Sequence, residues 1–223
     1  MINLKTIVDF HNEGTELIRP FGPTIYKSRI DDKSLQKIKD KVATIDVDND
    51  KVIATLPHPK KTDWMTETKG HGIVTRSFDL KPWWEDNEDI LEELKFHVSS
   101  YLNALRQFPV QARHTLKNDI MLYNIWANFS YAKDMQLRHI HEQDAISFCI
   151  YINNTPPENF PYSGSTQFWY GEEMQLSSST YVFEPEEGDI IIFPHWLQHQ
   201  MVPHSVPDAV RVSVAGNAYF NYQ

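Results

Sequence analysis

The 223 residues predict an α+β fold, with helices on one outer face of a β sandwich or barrel. Two observations carry this. Apolar residues recur at helical spacing in two segments of the first half, and eight short strand-like segments crowd into the chain after Asn118. That many short strands in succession need a closed or two-layered sheet. One domain, 1–223, is enough: residues 1–117 give helical and mixed support and residues 118–223 the β core.

In the first helix Asp31 or Asp32 can cap the N-terminus, and Leu35, Ile38, Val42 and Ile45 form one apolar stripe. A turn-rich stretch with Pro57, Pro59, Gly70 and Gly72 follows. The second helix, from about Asn87 to Leu105, aligns Ile90, Leu91, Leu94, Val98, Tyr101, Leu102 and Leu105, with Glu88, Asp89, Glu92 and Glu93 near its positive end. The strands are expected at Ile120–Phe129, Leu137–His141, Ile146–Ile152, Thr166–Tyr170, Thr180–Phe183, Ile190–Phe193, Gln198–Val202 and Arg211–Phe220. Between Asn153 and Thr180, Pro156, Pro157, Pro161, Gly164 and Ser177–Ser179 mark loops that either cover a barrel mouth or merely connect strands.

Composition narrows the functional classes. Hydrophobic residues at 41% and aromatics at 13% indicate a packed core and argue against disorder. A formal charge of −9 disfavours nonspecific attraction to a phosphate backbone, so nucleic acid is not the expected partner. Cys149 is the only cysteine, which excludes an internal disulfide and a cysteine zinc cluster and fits a reducing cytoplasm. Within an apolar strand pattern it reads as a small buried hydrophobe. Residues 1–10 lack the pattern of a secretion signal, and no stretch is long and apolar enough to span a membrane. A sheet this aromatic could also bury an edge in a homodimer.

The chemistry concentrates in His139-Ile140-His141 and, sixty residues later, His199. Side chains two apart on a strand share a face, and imidazole nitrogen is a good ligand for Fe(II), Zn(II), Ni(II) and Cu(II). An isolated pair would equally suit two ordinary strand histidines; a third imidazole completes a facial set with open positions. Gly188-Asp189 turns into the apolar run Ile190 to Phe193, which stops at Pro194 and delivers His199 to a rim. His195 and His204 are read as structural or supporting. Arg211 and Ser213 share one strand face, and a guanidinium beside a hydroxyl suits a carboxylate.

Four blocks together resemble the 2-oxoglutarate and Fe(II)-dependent oxygenases, in particular members from bacteria and tailed phages. The blocks are Trp126-Ala127-Asn128; His139-Ile140-His141 with Ile146-Ser147; Gly188 to His199; and Arg211-Val212-Ser213-Val214 with Asn217. The resemblance implies a double-stranded β-helix, or jelly roll, in residues 118–223, holding Fe(II) at its mouth. It implies His139, His141 and His199 as metal ligands, and Arg211 with Ser213 on the C5 carboxylate of 2-oxoglutarate. Asn128 and a tyrosine, Tyr123 or Tyr151, are candidates for further hydrogen bonds to that co-substrate. The implied reaction consumes 2-oxoglutarate and O2, hydroxylates a peptide side chain such as proline or a small molecule, and yields succinate and CO2. The setting is the cytoplasm, the host's if the chain is phage-encoded.

One position departs from the family pattern. Most members place Asp or Glu two residues after the first histidine; here that residue is His141, and position 143 is Gln. Three arrangements follow, in order of preference. All three imidazoles bind; or one of the pair binds while the other supports it; or Asp144 swings in where the strand ends. A cupin-like three-histidine oxygenase or isomerase that does not use 2-oxoglutarate is the alternative function, and a metal-free binding module is a third. Arg211 separates the first two: on a solvent-facing Arg211 the co-substrate pocket disappears.

Overall fold

A computed structural model describes residues 16–18, 22–48, 76–106, 116–134, 136–141, 146–153, 162–172, 179–204 and 206–222. The turn residues Pro57, Pro59, Gly70 and Gly72, the alternative ligand Asp144, and residues 154–161 and 173–178 of the proposed lid lie outside them.

In chain order the elements are β1 (Glu16–Ile18), β2 (Ile25–Arg29), α1 (Asp32–Ala43), β3 (Arg76–Asp79), α2 (Lys81–Glu85), α3 (Glu88–Arg106) and β4 (Leu116–Tyr131). There follow β5 (Gln136–His139), β6 (Ile146–Asn153), β7 (Thr166–Trp169), β8 (Thr180–Phe183), β9 (Asp189–Pro194), β10 (Gln198–Met201) and β11 (Val210–Tyr222). They form a seven-stranded sheet in the order β1-β2-β9-β6-β11-β4-β3 and a four-stranded sheet in the order β5-β10-β7-β8. All eight strands expected from the sequence are present, most within two residues of the expected ends.

Strand alternation divides the molecule into layers. On β6, Phe148, Ile150 and Ile152 join the apolar cluster that also holds Leu35, Ile38, Leu94 and Val98 of α1 and α3. The intervening Cys149 and Tyr151 belong to a second cluster with Phe168, Phe183 and Leu197, on the side of the small sheet. Strand β9 splits the same way, Ile190 and Ile192 toward the helices and Ile191 and Phe193 toward the small sheet. A strand buried on both faces reads as an unbroken apolar run, which is why Ile190 to Phe193 has no polar alternation. The helices therefore cover one outer face of the large sheet, as the α+β reading expects.

The N-terminal half does more than support this core. Strand β2 pairs with β9 and β3 pairs with β4, both antiparallel, so residues before 118 extend the large sheet on both sides. These strands are five and four residues long, too short for alternation to mark them. Asp31, not Asp32, caps α1: its carboxylate accepts from the Ser34 N–H at 2.9 Å.

Two glycines answer to geometry. Gly188 turns into β9 at φ +86°, a conformation that suits a residue without Cβ. At Gly216 on β11, an added Cβ would stand 2.3 Å from the Phe148 ring and 2.5 Å from the Asn124 carbonyl oxygen. No helix among the described residues is long and apolar enough to cross a membrane.

Candidate functional site

Three imidazoles meet between the two sheets. His139 on β5 and His199 on β10 are cross-strand partners in the small sheet. Each folds back on its own chain: His139 Nδ1 lies 2.7 Å from the Leu137 carbonyl oxygen and His199 Nδ1 2.8 Å from that of Leu197. His141 follows the end of β5, so the pair does not share one continuous strand as expected, yet the rings still converge. It is held from the large sheet, Nδ1 lying 2.7 Å from Asn217 Oδ1, which also accepts from Ser147 Oγ at 3.0 Å. Ser147 and Asn217 face each other across β6 and β11.

These bonds set the tautomers. A carbonyl oxygen only accepts, so each Nδ1 carries its proton and each Nε2 is left with a bare lone pair. His139 Nε2 and His141 Nε2 lie 3.3 Å apart, and one nitrogen from each of the three histidines lies within 4.8 Å of the others. Two nitrogens about 2.1 Å from one ion, at right angles to it, stand about 3 Å apart. Lone pairs facing one another are satisfied by a cation, and the donor set fits a divalent transition metal.

Burial keeps the rings neutral. It pushes His139 down to about 4, with His141 adding to the effect and the Leu137 carbonyl opposing it. His141 is lowered by burial against the opposing Asn217 bond, and His199, 7% exposed, is held well below its ordinary range by burial and then by His139 and His141. Neutral imidazole is the ligating form.

Arg211 is 5% exposed and lines the same cavity as the three histidines. Its Nε donates to the Gly164 carbonyl at 2.8 Å and its Nη1 to Ser213 Oγ at 3.2 Å, while the guanidinium lies 5.3 Å from the centre of the Tyr151 ring. No carboxylate among the described residues pairs with it. A buried guanidinium without a counter-ion is costly, and an anionic ligand relieves the cost. The cavity volume is about 40 Å³.

The other expected residues divide. Asn128 lines the cavity, and its Oδ1 accepts from Ser77 Oγ of β3 at 2.6 Å. Tyr151 does not offer its hydroxyl to the cavity: that oxygen lies 2.6 Å from Thr166 Oγ1, and the ring supports Arg211 instead. Tyr123 lies on β4, but its side chain is outside the described residues. Cys149 is not sealed in the core. It is half-buried on the cavity wall, and burial raises its thiol, so it stays protonated. His195 joins no ligand group; its Nδ1 sits 2.5 Å from the His141 carbonyl oxygen and its own carbonyl accepts from the His141 N–H at 3.0 Å. His204 is bound to the Ser130 carbonyl at 2.8 Å.

Ser77, Thr166 and the Gly164 carbonyl escaped sequence reasoning, since nothing local marks a residue whose partner lies tens of positions away. Trp126, Ser147 and Asn217 stood in the motif blocks without a role.

Residues 124–217 match the family model described as "Putative 2OG-Fe(II) oxygenase". No curated protein sequence matches the chain. Among solved structures, a Pseudomonas putida prolyl-4-hydroxylase aligns at TM-score 0.56 and 13% identity, over 88% of this chain and 92% of its own. A prolyl hydroxylase from Trichoplax adhaerens, in complex with a hypoxia inducible factor peptide fragment, aligns at 0.56 and 12%, over 94% and 84%. HygX from Streptomyces hygroscopicus, with nickel and 2-oxoglutarate bound, aligns at 0.52 and 9%, over 87% and 82%. At these identities the likeness establishes the fold, a double-stranded β-helix. The family match covers every residue of the three-histidine and arginine cluster.

Proposed function

We propose that His139, His141 and His199 hold Fe(II), and that Arg211 with Ser213 holds the distal carboxylate of 2-oxoglutarate. The observation that carries this reading is Arg211: a buried guanidinium with no carboxylate partner among the described residues shares one cavity with three bare imidazole nitrogens. The two ends of that cavity ask for a metal and a carboxylate, which a 2-oxo dicarboxylic acid bridges. A cupin-like enzyme without 2-oxoglutarate leaves the arginine unexplained. When bound, Fe(II) and 2-oxoglutarate would activate O2 for hydroxylating a C–H bond, one oxygen atom going to the substrate and the other to succinate as CO2 is released.

The chain's own residues bind and orient. Asn217 and the Leu137 and Leu197 carbonyls aim the imidazoles, and Tyr151 and Gly164 fix the guanidinium. Three neutral ligands leave the ion's charge to be balanced by the dianionic co-substrate. Asp144 is the alternative ligand.

For the substrate we favour a peptide side chain such as proline over a small molecule. The likeness to prolyl hydroxylases supports it, as do exposed Ile140 beside His141 and Trp196 beside His195, the latter 5.9 Å from the Tyr170 ring. The single cysteine supports a reducing cytoplasmic setting, that of the host if the gene is a phage's. A homodimer would use an edge strand; β1, β3, β5 and β8 are the edges among the described residues.

The test is succinate formation by anaerobically purified protein given Fe(II), 2-oxoglutarate and O2, with candidate peptides. Wild type should turn over and His199→Ala should not. No iron-dependent succinate under any of these conditions would refute the reading.

A further inference from the structure

Trp126 stands on β4 opposite Ala215 of β11, its side chain in the wall of the histidine and arginine cavity. It is 7% exposed, and its indole N–H is buried without a hydrogen-bond partner among the described residues. An indole nitrogen is a donor only and, when buried, ordinarily finds an acceptor. Ala215 opposite it is apolar, and no acceptor among the described residues stands in hydrogen-bonding position to the indole nitrogen.

Register gives its place along the cavity. Down β11 the cross-strand pairs with β4 run Asn217↔Asn124, Ala215↔Trp126, Ser213↔Asn128 and Arg211↔Ser130. Asn217 belongs to the histidine end and Ser213 with Arg211 to the guanidinium end, so Trp126 lies one inward-facing pair from each. Its ring is 6.1 Å from that of His141, tilted by 33°.

We propose that the Trp126 N–H donates a hydrogen bond to an oxygen of the bound 2-oxo dicarboxylate, in its metal-proximal half. The inference rests on the reading of the cavity given above. The orphaned donor is then satisfied only in the loaded protein, and Trp126 is a binding residue for the co-substrate in addition to Arg211. The contact favours acids with oxygens next to the metal over plain dicarboxylates. Glutarate, which has the same two carboxylates and no 2-oxo oxygen, is the control ligand.

Trp126→Phe keeps an aromatic ring and removes the donor. With Zn(II)-loaded protein and calorimetric titration, 2-oxoglutarate should bind the variant about tenfold more weakly than wild type, the loss expected for one hydrogen bond to an ionised acceptor. Its preference for 2-oxoglutarate over glutarate should shrink, and its Zn(II) affinity should stay within about twofold of wild type. In wild type, the ¹⁵N-indole resonance of Trp126, assigned by its absence from the variant or from Trp126→Tyr, should move downfield on adding 2-oxoglutarate. Equal 2-oxoglutarate affinity in wild type and Trp126→Phe, or an indole resonance that does not respond, overturns the proposal. Wild type that binds Zn(II) but no 2-oxoglutarate overturns the underlying reading, a separate result that removes this inference with it.

Discussion

Asn217 accepts the Nδ1 hydrogen of His141 at 2.7 Å from the opposite sheet, whereas His139 and His199 anchor themselves on backbone carbonyls two residues back in their own chain segments. His141 is therefore the imidazole whose aim depends on another side chain. Removing such an outer partner ordinarily costs 10- to 100-fold in metal affinity, and about that loss is expected for Asn217→Ala. Titration with Zn(II) or Mn(II) measures it. Ser147→Ala, which removes a bond to Asn217 and a longer contact of 3.2 Å to His141 Nδ1 while leaving the Asn217 bond to His141 in place, should lose less.

Arg211 should matter for one end of the co-substrate only. Arg211→Met removes the buried charge, and 2-oxoglutarate binding should weaken by about 2 to 5 kcal/mol. Metal affinity should hold, since Arg211 touches none of the three histidines. The monocarboxylate 2-oxobutyrate, lacking the distal carboxylate, should hardly distinguish variant from wild type. Similar losses for both acids would place the arginine elsewhere.

The pH response follows from the neutral imidazoles. His139 is lowered from 6.5 to about 4, chiefly by burial, and His141 and His199 move the same way. The unfolded chain thus takes up protons between about pH 6.5 and 4 that the folded chain refuses, so metal-free protein is most stable above that window and loses stability as pH falls through it. Urea midpoints at pH 7.5 and pH 5 measure this, and His139→Gln should flatten the difference. Because the ligands are already neutral at pH 7, metal uptake there should release no protons, and its calorimetric enthalpy should not depend on the buffer.

At Gly216 the large sheet has no room for a methyl group, because Phe148 and the Asn124 carbonyl lie 2.3 and 2.5 Å from where it would stand. Gly216→Ala should cost at least about 1 to 3 kcal/mol in chemical denaturation. Phe148→Leu should not fully rescue it, because the carbonyl stays in place.

Most of this architecture was legible because it is local. Strand alternation marks Arg211 and Ser213 as facing one way and Val212 and Val214 the other, and the structure buries them so. The convergence of His139, His141 and His199 followed from motif spacing, although His141 reaches the cluster from beyond the strand end. The part that stayed hidden is relational. Tyr151 faces inward as alternation requires, yet Thr166, from another sheet, takes its hydroxyl. Likewise β2 and β3 are strands because β9 and β4 offer them edges, a fact no window of their own residues contains.

The cavity is also a seam. At one end His139 and His199 belong to the small sheet while His141 is tied through Asn217 to the large one; at the other, Arg211 of the large sheet holds the Gly164 carbonyl just ahead of β7. An ion bound by all three imidazoles would tie the two sheets at one end, as the arginine does at the other. Iron supply would then govern the lifetime of the protein as well as its turnover: starved of metal, the layers part more readily at β5 and β10, exposing that edge to proteases before the rest of the molecule yields.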